Sequence, residues 1–314
     1  MTDRAPLIGA LWALFAAFGF SIVDLIVKFL SSDYPHYQLT FLRTVVAFLI
    51  VMVLIVPFYG GLKSLRTQRL RAHLLRGFCV VLANLAFFLA LAAMPLAEAV
   101  AIFFVSPFLV AIFSVVFLGE TVGPRRWAAI TCGMLGVLIV LRPGTEAFQI
   151  AALLPIVAAA GYGMIHIITR KIGDTESAAS LVFWTQAVML VVAAFAGLAF
   201  GDGRYDAFEH PSLAFLFRAW VWPTLFDAAL IFALGATIAF AGFAISEAYR
   251  RSEAAFIAPF EYVALPASVL WGFLVFHEWP DLWASLGISI IILSGLAMIW
   301  REAAGRANAR EKPA

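Results

Sequence analysis

Seven ionisable side chains stand in stretches that are otherwise almost free of charge: Asp24, Lys28, Arg43, Glu98, His166, Glu247 and Glu261. A charge at lipid depth is costly, so each of these needs a partner, water or a function. Asp24 and Arg43 each lie about six residues from the same end of consecutive apolar runs, which at about 1.5 Å per residue puts both roughly 9 Å deep. They could pair with each other, or Asp24 could pair with Lys28 four residues on, along a stripe that Ser21 continues. One reading is a structural salt bridge pinning two helices, and the other is a charged cavity wall. His166, with Tyr162 one turn earlier on the same face, is either a hydrogen-bonded core residue or a lining residue. Glu261 is the strongest single candidate, because Tyr262 follows it and Pro259 and Pro266 flank it. Prolines free backbone groups, and in a membrane such groups face protein or a wet cavity. A carboxylate there could release a proton as the cavity changes face. Asn84, Trp184 and Gln186 add hydrogen-bonding and stacking groups, and Phe103 shares a face with Ser106 and Pro107. The substrate-contacting set is therefore Asp24, Arg43, Asn84, Phe103, Tyr162, His166, Trp184, Gln186, Glu261 and Tyr262. Glu98 and Glu247 fall near run ends, where hydration accounts for them, and Glu120 and Glu278 are expected to cap the next helix or its turn.

These residues must be positioned by membrane helices. Of the 314 residues 64% are hydrophobic and 13% charged, against about 25% charged in a soluble domain. Runs of about 20 apolar residues fit ten spans, with no room for a separate soluble enzyme domain. They lie near 7–30, 37–58, 72–92, 97–118 and 125–141, then 150–171, 178–200, 223–245, 254–276 and 282–300. The first run lacks a small-residue cleavage site and reads as a span, not as a removable signal peptide. Cys79 and Cys132 both sit in apolar runs and read as packing residues, and no spacing suggests a metal site, a nucleotide-binding loop or a nucleophile elbow. No catalytic residue, metal or cofactor is assigned.

With the amino terminus on the cytoplasmic side, sixteen Lys and Arg residues fall inside against four outside, with Arg43 within a span. The inner set includes Arg4, Arg66, Arg76, Arg125, Arg126, Arg170, Arg250, Arg301, Arg306, Arg310 and Lys312. Lys28, Arg142, Arg204 and Arg218 make the outer set. This is the positive-inside bias, and it favours an even number of spans with both termini cytoplasmic. The chain also resembles itself. Gly119-Glu120 matches His277-Glu278, Gly136-Val137 through Leu141-Arg142 matches Gly295-Leu296 through Trp300-Arg301, Ala97-Glu98-Ala99 matches Ser252-Glu253-Ala254, and Leu39 to Arg43 matches Leu181 to Thr185. The same alignment sets His166 against Asp24. A repeat of five spans is odd in number, so the second copy is inverted. The expected organisation is residues 1–145 as the first five-helix repeat and residues 146–314 as the second, ending in a short basic tail.

This pattern resembles the EamA type of the drug/metabolite transporter superfamily over essentially the whole chain. The carrying residues are Ala97-Glu98-Ala99 through Ser106-Pro107 to Gly119-Glu120, and the second copy from Glu253 through Glu261-Tyr262 and Pro266 to Glu278. His277 replaces the usual glycine before the acid, and Pro266 stands one place from the expected Leu265. The resemblance implies an all-α, ten-helix integral membrane protein of the bacterial inner membrane. It also implies a secondary transporter that carries an amino acid, amine or nucleoside- or cofactor-like compound by alternating access, with proton coupling or exchange as the energy source. The expected partners are a small-molecule substrate and membrane lipid, without nucleic acid, in a monomer or homodimer. The alternative is an intramembrane enzyme on a lipid-linked substrate, using Asp24, His166 and Glu261 as acid and base. A passive channel is disfavoured because no run shows a polar stripe from end to end.

Overall fold

The first helix shows how these elements pack. In α1 (Ala5–Leu30) the small residues Ala10, Ala13 and Ala17 are at most 4% exposed, whereas Leu11, Phe15 and Phe18 are exposed on the opposite face. Small side chains at helical spacing let a neighbouring backbone come close, and the large apolar ones are turned outward, the arrangement lipid selects and water does not. The neighbour is α10 (Leu225–Arg251), where Gly19 of α1 meets Ala241 and Thr237.

A computed structural model describes residues 5–145 and 149–310, the side chains of 5–7, 125, 126, 255 and 298–310 excepted. Among the described residues all regular structure is helical. The remaining main elements are α2 (His36–Ile50), which runs on in tighter and wider turns to Tyr59, α3 (Leu70–Ala93), α4 (Leu96–Phe103), α5 (Ser106–Phe113) and α6 (Pro124–Leu141). There follow α7 (Leu154–Ile172), α8 (Ala178–Phe200), the short α9 (Pro211–Phe217), α11 (Ala254–Ile257), α12 (Ala264–Phe276) and α13 (Leu282–Arg310). Among the described residues eight stretches are long and apolar enough to cross a membrane, and 127–141 and 282–297 are shorter apolar helices. The chain is a multi-pass membrane protein. The stretch between the expected spans at 178–200 and 223–245 contains α9, and α10 runs six residues past the expected end at 245. Arg4 and Lys312 lie outside the described residues, as do the side chains of Arg125, Arg126, Arg301, Arg306 and Arg310, and the expected 145/146 boundary falls at the edge of the undescribed stretch.

Helix α1 packs along α10, and α3 along α7; α2 lies between α8 and α10, and α6 lies along α13. The last pair touches backbone to backbone, since a Cβ added to Gly136 would stand 2.7 Å from the Gly287 carbonyl oxygen and one on Gly287 would stand 2.6 Å from that of Gly136.

Two spans are broken. Leu96–Leu118 divides into α4 and α5 around Phe104 and Val105, with Pro107 in the first turn after the break. Its counterpart runs from α11 through a tight stretch at Ala258–Val263 to α12, with Pro259 and Pro266. Both end alike. Gly119 and His277 take left-handed backbone, at φ 69° and 55°, and the next amide turns back, from Glu120 to the Ser114 carbonyl at 3.2 Å and from Glu278 to the Gly272 carbonyl at 3.0 Å. The histidine that departs from the family pattern thus adopts the conformation a glycine would have supplied.

Each glutamate reaches across to the start of the other broken span. Glu278 Oε2 accepts the Leu96 amide at the start of α4 at 3.0 Å, and Glu120 Oε1 accepts the Ala254 amide at the start of α11 at 3.4 Å. These are first-turn N–H groups with no intrahelical acceptor, and a carboxylate satisfies both the bond and the local dipole. Glu278 also holds Lys28 at 3.1 Å, and Glu120 holds Arg170 at 3.8 Å.

Left-handed backbone costs a β-branched residue about 1–3 kcal/mol. Gly119→Val should therefore lower the unfolding temperature in detergent, while His277→Gly should leave it unchanged or raise it; equal losses in both would contradict this account of the two turns.

Candidate functional site

The broken spans meet beside a cavity with about 1340 Å³ of empty volume, counting the part continuous with solvent. Its wall draws on α1, α2, α3, α4, α7, α8, α10 and the Ala258–Val263 turn. Eight of the ten expected residues line it: Asp24, Arg43, Asn84, Phe103, Tyr162, His166, Gln186 and Glu261. Aromatic rings make up much of the remainder, including Phe20, Phe87, Phe88 and Phe104.

Glu261 sits at the centre of an aromatic cluster. The tight turn between the two prolines carries it, 9% exposed, to a point where Tyr162 donates to its Oε2 and Tyr249 donates to its Oε1 at 2.5 Å. The His166 ring stacks on Tyr249 with centroids 3.7 Å apart and meets the edge of Tyr162 at 4.1 Å. His166 Nε2 is buried and has no hydrogen-bond partner. Phe103 closes the cluster against Tyr162 at 5.2 Å.

Arg43 lies across the cavity and is 2% exposed. Its Nη2 donates to Asn84 Oδ1 at 2.6 Å, its guanidinium carbon lies 4.9 Å from the Phe88 ring centroid, and its Nη1 is left without an acceptor. The expected pairings of Asp24 do not form. No ion pair within 4.0 Å joins Asp24 to Arg43 among the described residues, because Arg43 is turned toward Asn84. Lys28 turns the other way, to Glu278 and to the Met94 carbonyl at 2.8 Å. Ser21 meets Trp271 Nε1 at 3.4 Å. Asp24 is left partly exposed, to the cavity it lines.

Two expected residues do not reach the cavity. Trp184 points to the helix ends, where its Nε1 donates to the Leu65 carbonyl at 3.3 Å and its ring lies 5.8 Å from His73. Tyr262 is turned by the tight stretch toward α6 and α13, where it lies against Gly133 and Gly295 and stacks on Phe104 at 4.9 Å. Successive residues of a helical turn point about 100° apart, so a cavity that takes Glu261 loses its neighbour. Glu247 differs from expectation as well, being 1% exposed and bound by Arg250 at 3.0 Å and by Arg251.

Arg76 is the residue that counting charges by loop overlooked. It lies six residues inside α3, 5% exposed on the cavity wall. Its Nε donates to Thr169 Oγ1 at 2.7 Å, Nη1 to the Leu181 carbonyl at 3.0 Å and to Thr185, and Nη2 to Ser246 Oγ at 3.2 Å. A guanidinium with five donors can tie α3, α7, α8 and α10 together through neutral acceptors alone. Its distance from the start of the apolar run was the available signal.

Comparison with known proteins agrees with this geometry. The model of the EamA-like transporter family matches residues 7–142. A riboflavin transporter of Rhizobium johnstonii is 31% identical over 94% of this chain and 92% of its own, and an S-adenosylmethionine uptake transporter of Rickettsia bellii is 29% identical over 94% and 93%. A crystal structure of another protein covers 99% of this chain, and 100% of its own, with a TM-score of 0.68 at 18% identity, a likeness of fold.

Removing one hydroxyl from Glu261 deprives a buried carboxyl of a strong partner. Tyr249→Phe should cost about 1.5–3 kcal/mol in equilibrium unfolding from mixed micelles. The cost should shrink by at least about 0.5 kcal/mol when Glu261→Gln is already present. Strict additivity of the two changes would show that the bond is not made.

Proposed function

The chain belongs to the EamA-like transporter family, a membrane-embedded transporter of a small metabolite and not an enzyme, and we propose that it is a secondary carrier working by alternating access. The observation that carries this reading is the cavity walled by both broken spans, each held at its start by a glutamate from the end of the other. Two such caps, one at each end of the bundle, give the protein matched points at which one side could open while the other stays shut.

The same arrangement supports ten crossings in two inverted five-helix repeats, residues 1–145 and 146–314. The contact of α1 with α10 and that of α7 with α3 are one pairing exchanged between the halves. Bridges such as Arg170 to Glu120 and Thr67 to Glu176 gather the ends rich in Lys and Arg on one side, which supports cytoplasmic termini in a bacterial inner membrane. We take the carrier to act as a monomer or homodimer without a cofactor. Its substrate is a ring-bearing metabolite, a class to which both riboflavin and S-adenosylmethionine belong. The aromatic wall suits it. Glu261 is the proposed proton site, since it is the carboxyl that both broken-span geometry and two tyrosines converge upon.

Purified protein in liposomes preloaded with unlabelled riboflavin or S-adenosylmethionine should exchange the labelled compound saturably. If Glu261 carries the coupling proton, Glu261→Gln should abolish accumulation driven by a pH gradient while leaving exchange at equal pH within about threefold. Flux that does not saturate, or currents of single-channel size, would replace the carrier with a pore.

A further inference from the structure

The polar groups of the cavity divide into those already engaged and those that are open. Both oxygens of Glu261 are taken by tyrosine hydroxyls, and every nitrogen of the Arg76 guanidinium has an acceptor. Asp24 and Arg43 are different. Asp24 has no hydrogen bond or ion pair among the described residues and is partly exposed, to the cavity. Arg43 also lines that cavity, and its Nη1 is buried and bonded to nothing, while Nη2 is committed to Asn84. A buried charged donor without an acceptor is costly, and a ligand that supplies the acceptor would relieve that cost.

We infer that Asp24 and Arg43 together read one edge of an uncharged, planar heteroaromatic substrate, with Arg43 Nη1 donating to a ring carbonyl and Asp24 accepting the neighbouring ring N–H. An imide edge, as in an isoalloxazine or a pyrimidinedione, presents those two groups side by side. The inference rests on the carrier reading and names the substrate class of that same cavity. Three observations select this chemistry. A carboxylate is held best by a guanidinium through two nitrogens at once, whereas the arrangement here leaves one nitrogen open, a match for a single carbonyl oxygen. The flanking surfaces are rings, with Phe88 under the guanidinium and Phe20, Phe103 and Phe104 on the same wall, so a flat body gains by stacking. A phosphate would bring added negative charge against Asp24 and Glu261 with Arg76 already engaged, so phosphorylated forms should be rejected. His166 Nε2, also without a partner, is a third polar point for the rest of the substrate.

The test uses the full-length protein in proteoliposomes and competition against labelled riboflavin in counterflow. Lumichrome, which keeps the imide edge and lacks the sugar chain, should compete within about threefold of riboflavin. Its N3-methyl derivative, with the ring N–H blocked, should be weaker by about tenfold or more, the scale of a hydrogen bond to a charged group. Flavin mononucleotide should compete poorly. In Asp24→Leu the two lumichromes should become equally weak, whereas Asp24→Asn, which keeps an acceptor, should still tell them apart. If the methylated compound competes as well as its parent, or if flavins are inert while S-adenosylmethionine exchanges, the edge-reading inference is overturned and the carrier stands. If no solute exchanges in a protein shown to be folded, the carrier reading fails and this inference with it. Should Asp24→Leu fail to fold, the competition series on the parent protein alone decides the question.

Discussion

Lipid offers no hydrogen bonds, so a helix interrupted at membrane depth must have its freed backbone groups satisfied by the protein itself. This chain interrupts two spans, closes the first break with local backbone bonds such as Val105 N–H to the Ile102 carbonyl, and caps the start of each broken span with the glutamate that ends the other. Much else follows from that exchange. The glutamates reach across because the residues before them adopt left-handed backbone, and Lys28 and Arg170 are drawn to the caps as counter-charges. Lys28 is thereby removed from Asp24, and Asp24 is left facing the cavity. A local backbone requirement thus decides which charges are structural and which are available.

The breaks also explain the chemistry of the wall. A continuous α-helix through residues 254–276 would present its side chains at regular intervals around the axis. The tight stretch at Ala258–Val263 replaces that regular path, and along it Glu261 is turned to the cavity and Tyr262 to the glycines of α6 and α13. The carboxyl is then fixed from two helices, by Tyr162 of α7 and Tyr249 of α10, so its position reports how those helices sit relative to the break. The proposed proton site is therefore tied mechanically to the elements that must move if the cavity is to change face.

Much of this was legible in the sequence. Eight of the apolar runs fall on helices long enough to span, most ends within a few residues, because a span has to be about 20 residues long whatever it packs against. Asp24, Arg43, His166 and Glu261 stood out because charge in an apolar run is improbable without a purpose, and all four line the cavity. What the sequence could not supply was direction. Trp184 has the residue type of a stacking group but faces the Leu65 carbonyl, and nothing in its spacing shows which side of α8 meets the cavity. Arg76 was hidden for the opposite reason, since its place near a run end made it look like a loop charge although α3 begins six residues before it. The two glutamate caps were legible as residues that end helices, but their partners lie more than 130 residues away and only the packing brings them together.

The division between engaged and open groups also bears on how one scaffold can serve different substrates. Caps, glycine contacts and the Arg76 network act on backbone and neutral acceptors, so they fix helix positions without regard to what is carried. On the proposed reading, selectivity falls to the few wall groups with unmet hydrogen-bonding capacity, here Asp24, Arg43 Nη1 and His166 Nε2. Asp24 can be exchanged without breaking a hydrogen bond or ion pair among the described residues, whereas exchanging Arg43 or His166 also removes the bond to Asn84 or the stack on Tyr249. A protein of this construction can therefore share its architecture with a carrier of a neutral heterocycle and with a carrier of a charged one, and the difference should reside in two or three side chains around the ring-lined cavity and not in the helices that enclose it.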